Sequence, residues 1–166
     1  MRILGLAGWS GSGKTTLMTA LIPEFVSRGI SVSTVKHAHH SFDVDQPGKD
    51  SWRHRHAGAR EVMVASAHRW ALMHELRGAA EPPLEELLER LSPVDLVLVE
   101  GFKQHAHTKI EVYRRAVGKS LLHPGDPRVI AIAADEISPE FSVPFLPLSD
   151  PGAIAGFVLR HEGMVR

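Results

Sequence analysis

Short apolar runs alternate with segments of helical periodicity along the 166 residues of this chain. The run at 94–99, apolar except for Asp95, is typical of a strand buried on both faces of a parallel sheet. In the segment 83–91, leucines recur three or four residues apart, which predicts an amphipathic helix. The predicted strands are 2–7, 30–36, 61–65, 70–74, 94–99, 109–113 and 128–133, and the predicted helices are 14–27, 50–56, 83–91 and 152–160. Asp50 or Ser51 is the predicted cap of the short second helix. This alternation predicts an α/β fold with a mostly parallel central sheet and helices on both faces.

One glycine-rich segment, 8–15, reads Gly-Trp-Ser-Gly-Ser-Gly-Lys-Thr and fits the G-x-x-x-x-G-K-[ST] pattern of a phosphate-binding loop. It lies between a predicted strand and a predicted helix, which is the context that the motif needs, and it indicates a three-layer P-loop NTPase fold. Its glycines let backbone N–H groups point at phosphate oxygens, beside the positive N-terminal end of the helix. Lys14 can then reach the β- and γ-phosphates, and the Thr15 hydroxyl can ligate Mg²⁺. The predicted binding residues in the loop are Gly8, Ser10, Gly11, Ser12, Gly13, Lys14 and Thr15.

Two carboxylates flank the apolar run at 94–99. Glu100 follows the run, so a parallel sheet would place it at the edge where the phosphate loop lies. There it can hold Mg²⁺ directly or through water, which makes Thr15 and Glu100 the predicted metal ligands and Lys14 and Glu100 the predicted catalytic residues. The alternative for Glu100 is an ordinary carboxylate at the end of a strand. Asp95 lies near the start of the run, at the far edge, and is interpreted as structural.

The polar loop 37–50 follows the second predicted strand and also starts at the nucleotide edge of the sheet. Its aspartates are Asp43, Asp45 and Asp50, and its histidines are His37, His39 and His40. The aspartates could position Mg²⁺, a water or a substrate. The histidines could bind a transition metal, although neighbouring histidines on a loop are a weak signal for zinc. A solvated polar loop is the third interpretation.

Composition narrows the classes of function. The net charge is zero with neutral histidines, which implies no general attraction to nucleic acid or to an acidic membrane. The absence of cysteine excludes disulfides and thiolate chemistry. No apolar stretch approaches the length of a membrane-spanning helix, and the chain opens directly on a predicted core strand rather than on a signal peptide. We expect one cytoplasmic nucleotide-binding domain over residues 1–166.

Five blocks of sequence are similar, in this order, to the molybdopterin-guanine dinucleotide biosynthesis protein B family. They are 8–15, Lys36-His37-Ala38-His39-His40, 42–51, Ala57-Gly58-Ala59 and Val99-Glu100-Gly101-Phe102-Lys103. The phosphate loop is shared by many NTPases, whereas the Lys-His, Asp-x-Asp and Glu-Gly-Phe-Lys blocks are much more particular. The resemblance extends from Met1 to about Asp135. It implies a GTP-binding adaptor, often dimeric and at most a weak GTPase. Such an adaptor assists the molybdenum cofactor guanylyltransferase, with molybdopterin as a possible further ligand.

The same resemblance implies roles for individual residues. Gly11, Gly13, Lys14, Thr15 and Thr16 would bind the phosphates and Mg²⁺, Glu100 would be the Walker B acid, and the loop from Asp43 to Asp50 would be switch-like or substrate-facing. The chain has no N-K-x-D block, with which GTPases commonly select guanine. Asp135 follows a late strand where such an aspartate would lie, so it is the candidate base contact, with a helix cap or turn acid as the alternative.

The sequence also leaves three other functions open. The histidine-rich loop would suit a GTPase that inserts a metal into another enzyme. A phosphate loop would also suit a small-molecule kinase, or it could be a relic in a purely structural partner. Deviant phosphate loops of some dimeric NTPases carry an extra lysine near their start, but Trp9 occupies that region here, so no intersubunit lysine is predicted.

Overall fold

The computed structural model describes residues 1–38 and 42–164, which belong to two compact units. The first unit comprises Met1–His37 and Leu87–Arg166, and the second comprises Ala38–Glu86. The phosphate loop and Glu100 both belong to the first unit. One nucleotide-binding domain over the whole chain stays a prediction.

Eight strands and four α-helices follow one another along the chain. They are β1 (Arg2–Ala7), α1 (Lys14–Ser27), β2 (Val32–Lys36), α2 (Asp50–His56), β3 (Glu61–Ala65), β4 (Trp70–His74), α3 (Leu84–Glu89), β5 (Leu96–Glu100), β6 (Thr108–Tyr113), β7 (Val129–Ala134), β8 (Phe145–Pro147) and α4 (Pro151–His161), with 3₁₀ turns at Arg115–Val117 and His123–Gly125. In the part of the chain that the structure describes, no helix is long and apolar enough to cross a membrane.

Six strands of the first unit form one sheet in the order β2-β5-β1-β6-β7-β8, and all neighbouring strands are parallel. This confirms the predicted α/β class with a mostly parallel central sheet. In the register, Leu6 of β1 is paired with Glu100 of β5 and with Ile110 of β6. The carboxyl ends of β1 and β5 therefore meet at one edge, which brings Glu100 beside the loop that follows β1.

An apolar core joins one face of this sheet to α1 and α4. Alternate strand residues point into it, because successive side chains of a strand lie on opposite faces. The core includes Leu4, Leu6, Leu96, Leu98, Ile110 and Ala131 from the sheet, Leu17, Leu21 and Phe25 from α1, and Ile154 and Val158 from α4. The helix that carries the end of the phosphate loop is thus fixed to the sheet by fully buried side chains.

The opposite face of β6 carries buried charged groups. The Lys109 ammonium donates to the Asp126 carboxylate at 2.9 Å. The Glu111 carboxylate accepts the backbone N–H groups of Leu122 and His123, at 2.8 and 2.9 Å. Each buried charge thus has partners that offset the cost of its desolvation. These bonds fasten the segment after β6 to the sheet.

A buried histidine with unpaired ring nitrogens lies on the same face. Among the described residues, neither ring nitrogen of His107 has a hydrogen-bond partner. A Cβ at Gly5 would lie 2.3 Å from its Nε2, so only glycine admits the ring there. Burial, and then the charge of Lys109, lower the pKa of His107 from 6.5 to about 4. The unfolded chain therefore takes up this proton first as the pH falls, so stability is lost between about pH 6.5 and pH 4.

We expect acidification from pH 7 to pH 5 to cost about 2 kcal/mol of folding free energy through His107 alone. Because His107→Leu removes the titrating group, that variant should lack this part of the loss. Urea unfolding of both proteins at pH 7 and pH 5 measures the difference. Equal losses in the two proteins would contradict the assignment.

The second unit contains α2 and an antiparallel hairpin of β3 and β4, in which Glu61 is paired with His74 and Ala65 with Trp70. Most of the hairpin's large apolar side chains are exposed. They are Met63, Val64, Trp70 and Leu72, together with Phe42, Val44 and Leu76 in neighbouring parts of the unit. A solvated hairpin with so much apolar surface is unusual for a chain that acts alone.

Two local predictions need correction. The strand β8 (Phe145–Pro147) was missing from the predicted elements, because it has only three residues and lies at the edge of the sheet. The predicted cap of α2 by Asp50 or Ser51 is wrong, since the helix begins at Asp50 and Lys49 occupies the cap position without a side-chain cap. The Ser51 hydroxyl instead donates to the Asp45 carboxylate at 2.8 Å.

Candidate phosphate and magnesium site

The phosphate loop makes a tight turn between β1 and α1. Gly8, Gly11 and Gly13 have φ values of 145°, 81° and 97°, which L side chains rarely adopt. A Cβ at Gly8 would also lie 2.5 Å from the carbonyl oxygen of Val112. The α1 helix begins at Lys14, and Gly13 gives it no side-chain cap. Its first N–H groups are therefore available to an anion.

The Lys14 ammonium lies against the start of the loop. It donates to the carbonyl oxygens of Gly8 and Trp9, at 3.0 and 2.9 Å. Burial lowers the pKa of Lys14; the Glu100 carboxylate opposes that shift, and nearby lysines add to it. The charged group is thus held at the place where the motif predicts the phosphates.

The structure brings together the two predicted metal ligands. The Thr15 hydroxyl donates to the two carboxylate oxygens of Glu100, at 3.1 and 3.3 Å. Glu100 is only 9% exposed, and the Lys36 ammonium lies 4.0 Å from its Oε2. A hydroxyl beside a strand-end carboxylate is the donor set that holds Mg²⁺ in P-loop proteins. These residues fit a magnesium ion at this position.

The Arg114 guanidinium connects the loop to Asp135. Its Nε donates to the carbonyl oxygen of Ser12 at 3.2 Å, and its Nη1 donates to Asp135 Oδ2 at 3.0 Å. The Asp135 side chain is 53% exposed, at the end of β7, and can accept a further hydrogen bond. The Ser12 side chain is 2% exposed, and its hydroxyl has no partner among the described residues.

Lys103, which is not among the predicted site residues, lies over the phosphate loop. The Lys103 ammonium is 4.8 Å from the centroid of the Trp9 ring. The Trp9 indole N–H donates to the carbonyl oxygen of Ser120 at 2.8 Å, which fixes the ring. Its signal in the sequence is the Glu-Gly-Phe-Lys block, in which only the glutamate is a predicted site residue.

The predicted aspartates of the polar loop lie in the second unit, where Asp43 and Asp45 contact Arg55. The guanidinium donates to Asp43 at 2.8 Å, to Asp45 at 3.2 Å and to Glu75 at 2.8 Å. The hydrogen bond from Arg55 is the main cause of the lowered pKa of Asp43. Asp50 is exposed at the first position of α2. These contacts give Asp43 and Asp45 a structural role in their unit, and the nucleotide role of all three aspartates stays a prediction.

The predicted metal role of the histidines is not supported by the described residues. Across residues 1–38 and 42–164, no three histidine, cysteine or acidic side chains are grouped to hold a metal ion. The His37 ring packs against Phe102, with their centroids 4.9 Å apart. His39 and His40 lie outside the described residues.

Comparison with known proteins decides the family. Residues 3–135 match the family model for Molybdopterin guanine dinucleotide synthesis protein B, or MobB. The chain belongs to the MobB family. The resemblance of the five sequence blocks is thereby confirmed, and the match ends at Asp135, the candidate base contact.

Two curated relatives agree with the MobB assignment. Both are named Molybdopterin-guanine dinucleotide biosynthesis adapter protein. The protein of Escherichia coli (strain K12) is 44% identical over 163 residues, which cover 95% of this chain and 91% of the relative. The protein of Haemophilus influenzae is 46% identical over 134 residues, which cover 80% and 74%.

Solved MobB structures have the same fold. A crystal structure of molybdopterin-guanine biosynthesis protein B superposes with a TM-score of 0.74 at 29% identity, covering 96% of this chain and 99% of that chain. The MobB protein of Bacillus subtilis gives a TM-score of 0.73 at 25% identity, with coverage of 96% and 97%. These likenesses confirm the P-loop NTPase fold with its mostly parallel central sheet.

Proposed function

We propose that this protein is a GTP-binding adaptor in the formation of molybdopterin guanine dinucleotide, with weak GTPase activity at most. Membership of the MobB family and the adapter names of the two bacterial relatives support the pathway. The observation that carries the nucleotide part is the contact between Thr15 and Glu100 beside the phosphate loop. That contact supports a role for Thr15 and Glu100 as the magnesium ligands beside Lys14.

In this proposal the loop glycines and the N-terminus of α1 surround the phosphates, and Lys14 neutralises part of their charge. The residues that bind the nucleotide in the first unit are Gly8, Ser10, Gly11, Ser12, Gly13, Lys14, Thr15, Thr16 and Asp135. Thr15 and Glu100 hold Mg²⁺, which supplies further neutralisation of the phosphate charge. Asp135 accepts hydrogen bonds from the guanine edge.

The same side chains support slow hydrolysis. Phosphoryl transfer to water needs a group that orients the water, besides the groups that neutralise charge. Glu100 is engaged by Thr15 and lies near Lys36, which suits a metal ligand better than a general base. An adaptor that holds GTP until it meets its partner has no need of rapid turnover.

The exposed apolar side chains of the hairpin β3–β4 support an association with other protein chains. Contiguous exposed apolar surface marks interaction sites in soluble proteins. We propose that the protein is a cytoplasmic homodimer and that this hairpin, with Trp70 at its turn end, lies in the interface. The molybdenum cofactor guanylyltransferase is the second partner, and molybdopterin is a further ligand of the assembly.

Co-elution with the guanylyltransferase tests the adaptor function. We expect the two purified proteins to form a complex on size-exclusion chromatography, with more complex when GTP and Mg²⁺ are present. A Lys14→Ala variant should lose the increase that GTP causes. Separate elution of the two proteins in all conditions would overturn the adaptor proposal.

A further inference from the structure

The chain makes a strained turn immediately after Glu100. Gly101 has a φ of 97° and Phe102 a φ of 47°. Among the described residues, Phe102 and Arg77 are the residues other than glycine with positive φ. For a bulky side chain this conformation is unfavourable, and it persists only where the surroundings impose it. The turn therefore needs both a structural and a functional explanation.

Packing around Phe102 provides the structural explanation. Its side chain is buried at 9% exposure, and its ring centroid lies 4.9 Å from that of His37 and 5.1 Å from that of His105. A Cβ at Gly101 would lie 2.6 Å from the Cβ of His37, so glycine is required for this close approach. The two residues fix the direction in which the chain leaves β5.

The position of Lys103 provides the functional explanation. The turn sends this lysine back over the phosphate loop, where its ammonium lies 4.8 Å from the centroid of the Trp9 ring. An ammonium over the face of an indole is attracted by the negative charge density of the ring. The backbone oxygen of Trp9 also accepts from the Lys14 ammonium at 2.9 Å. Both lysines therefore lie at the same end of the loop.

Positive charges outnumber negative charges at this end of the phosphate loop, which favours the binding of an anion. The Coulomb effects of Lys103 and Lys36 both lower the pKa of Lys14, after the larger effect of burial. Of the described charged groups that shift the pKa of Lys14, Glu100 is a carboxylate and the other two are lysines. Three ammonium groups facing one carboxylate suit a ligand with several negative charges.

We propose that Lys103 is a second phosphate-binding lysine, supplied by the loop after β5 and held at the rim of the phosphate loop by Trp9. It contacts the terminal phosphate and thereby distinguishes a nucleoside triphosphate from a diphosphate. This inference rests on the proposed function, because it adds a contact to the same nucleotide site.

Binding of GTP and GDP to Lys103→Gln tests the inference, with Mg²⁺ present and titration calorimetry as the readout. Removing the ammonium should weaken GTP binding by about 10-fold, the loss expected for one charge-assisted contact, and change GDP binding by less than about 3-fold. Lys103→Arg keeps the charge and should retain most of the affinity for GTP. Lys119→Gln is the matched control, because this exposed lysine is not among the groups that act on Lys14.

The outcomes separate the inference from the function on which it rests. Unchanged GTP binding by Lys103→Gln, or an equal loss for GTP and GDP, would overturn the role of Lys103 alone. Failure of the unaltered protein to bind either nucleotide would overturn the proposed function and this role together. Thermal unfolding of each variant checks that the exposed substitutions leave the fold intact.

Discussion

Replacing Lys14 with alanine is expected to weaken GTP–Mg²⁺ binding by at least about 100-fold. The Lys14 ammonium is held at the mouth of the loop by the carbonyl oxygens of Gly8 and Trp9. In the proposed complex with GTP it gives charge-assisted hydrogen bonds to the β- and γ-phosphates, and such bonds are among the strongest in proteins. Titration calorimetry of both proteins with GTP and Mg²⁺ measures the loss.

The fold should tolerate the Lys14 substitution. Among the described residues, Lys14 donates hydrogen bonds to two loop carbonyls and none to the core. We therefore expect the unfolding temperature to change little. Lys119→Ala removes an exposed positive charge from the same unit and should leave GTP affinity unchanged. An affinity of Lys14→Ala within about 3-fold of the unaltered protein would show that the loop does not bind phosphates.

Replacing Asp135 with asparagine is expected to exchange the preference for guanine with one for xanthine. In the proposed site the carboxylate accepts from guanine N1–H and the 2-amino group, whereas xanthine carries an oxygen at C2. An asparagine amide can donate to that oxygen but cannot accept both guanine protons. A donor of the bound base left without an acceptor costs about 1–3 kcal/mol, and the partial exposure of Asp135 favours the lower part of that range. GTP affinity should therefore fall by about 10-fold while XTP affinity rises.

Competition between GTP and XTP for the Asp135→Asn protein measures this exchange. Glu136→Gln is the matched control, because it removes the neighbouring exposed charge, which lies 3.8 Å from Arg115. Asp135→Asn also weakens the hydrogen bond from Arg114 to this side chain. That change would lower the affinity for GTP and XTP alike. A loss for GTP without any gain for XTP would exclude Asp135 as the base contact and leave it as a partner of Arg114.

Most elements of the sheet could be predicted because their local pattern is strong. The strand β1 and the helix α1 have the predicted bounds, since an apolar run and a helical period flank an unmistakable glycine loop. The short strand β8 could not be predicted in this way. It has three residues and ends at Pro147, so it carries no periodic signal, and its pairing with β7 is a long-range contact.

In the candidate site too, some contacts could be predicted from the sequence and others could not. The pairing of Thr15 with Glu100 follows from the sequence, because parallel strands bring both residues to one edge of the sheet. Lys103 could not be placed, since its position depends on a strained turn at Phe102 that no local pattern announces. The interaction of Asp43 with Arg55 likewise depends on a contact twelve residues away along the chain.

The proposed function requires that this P-loop select guanine nucleotides. Titration calorimetry of the unaltered protein with GTP and with ATP, each with Mg²⁺, tests it most directly. We expect clear binding of GTP and at least about 10-fold weaker binding of ATP, because adenine N1 carries no hydrogen to donate to the Asp135 carboxylate. Equal affinities, or a preference for ATP, would contradict it.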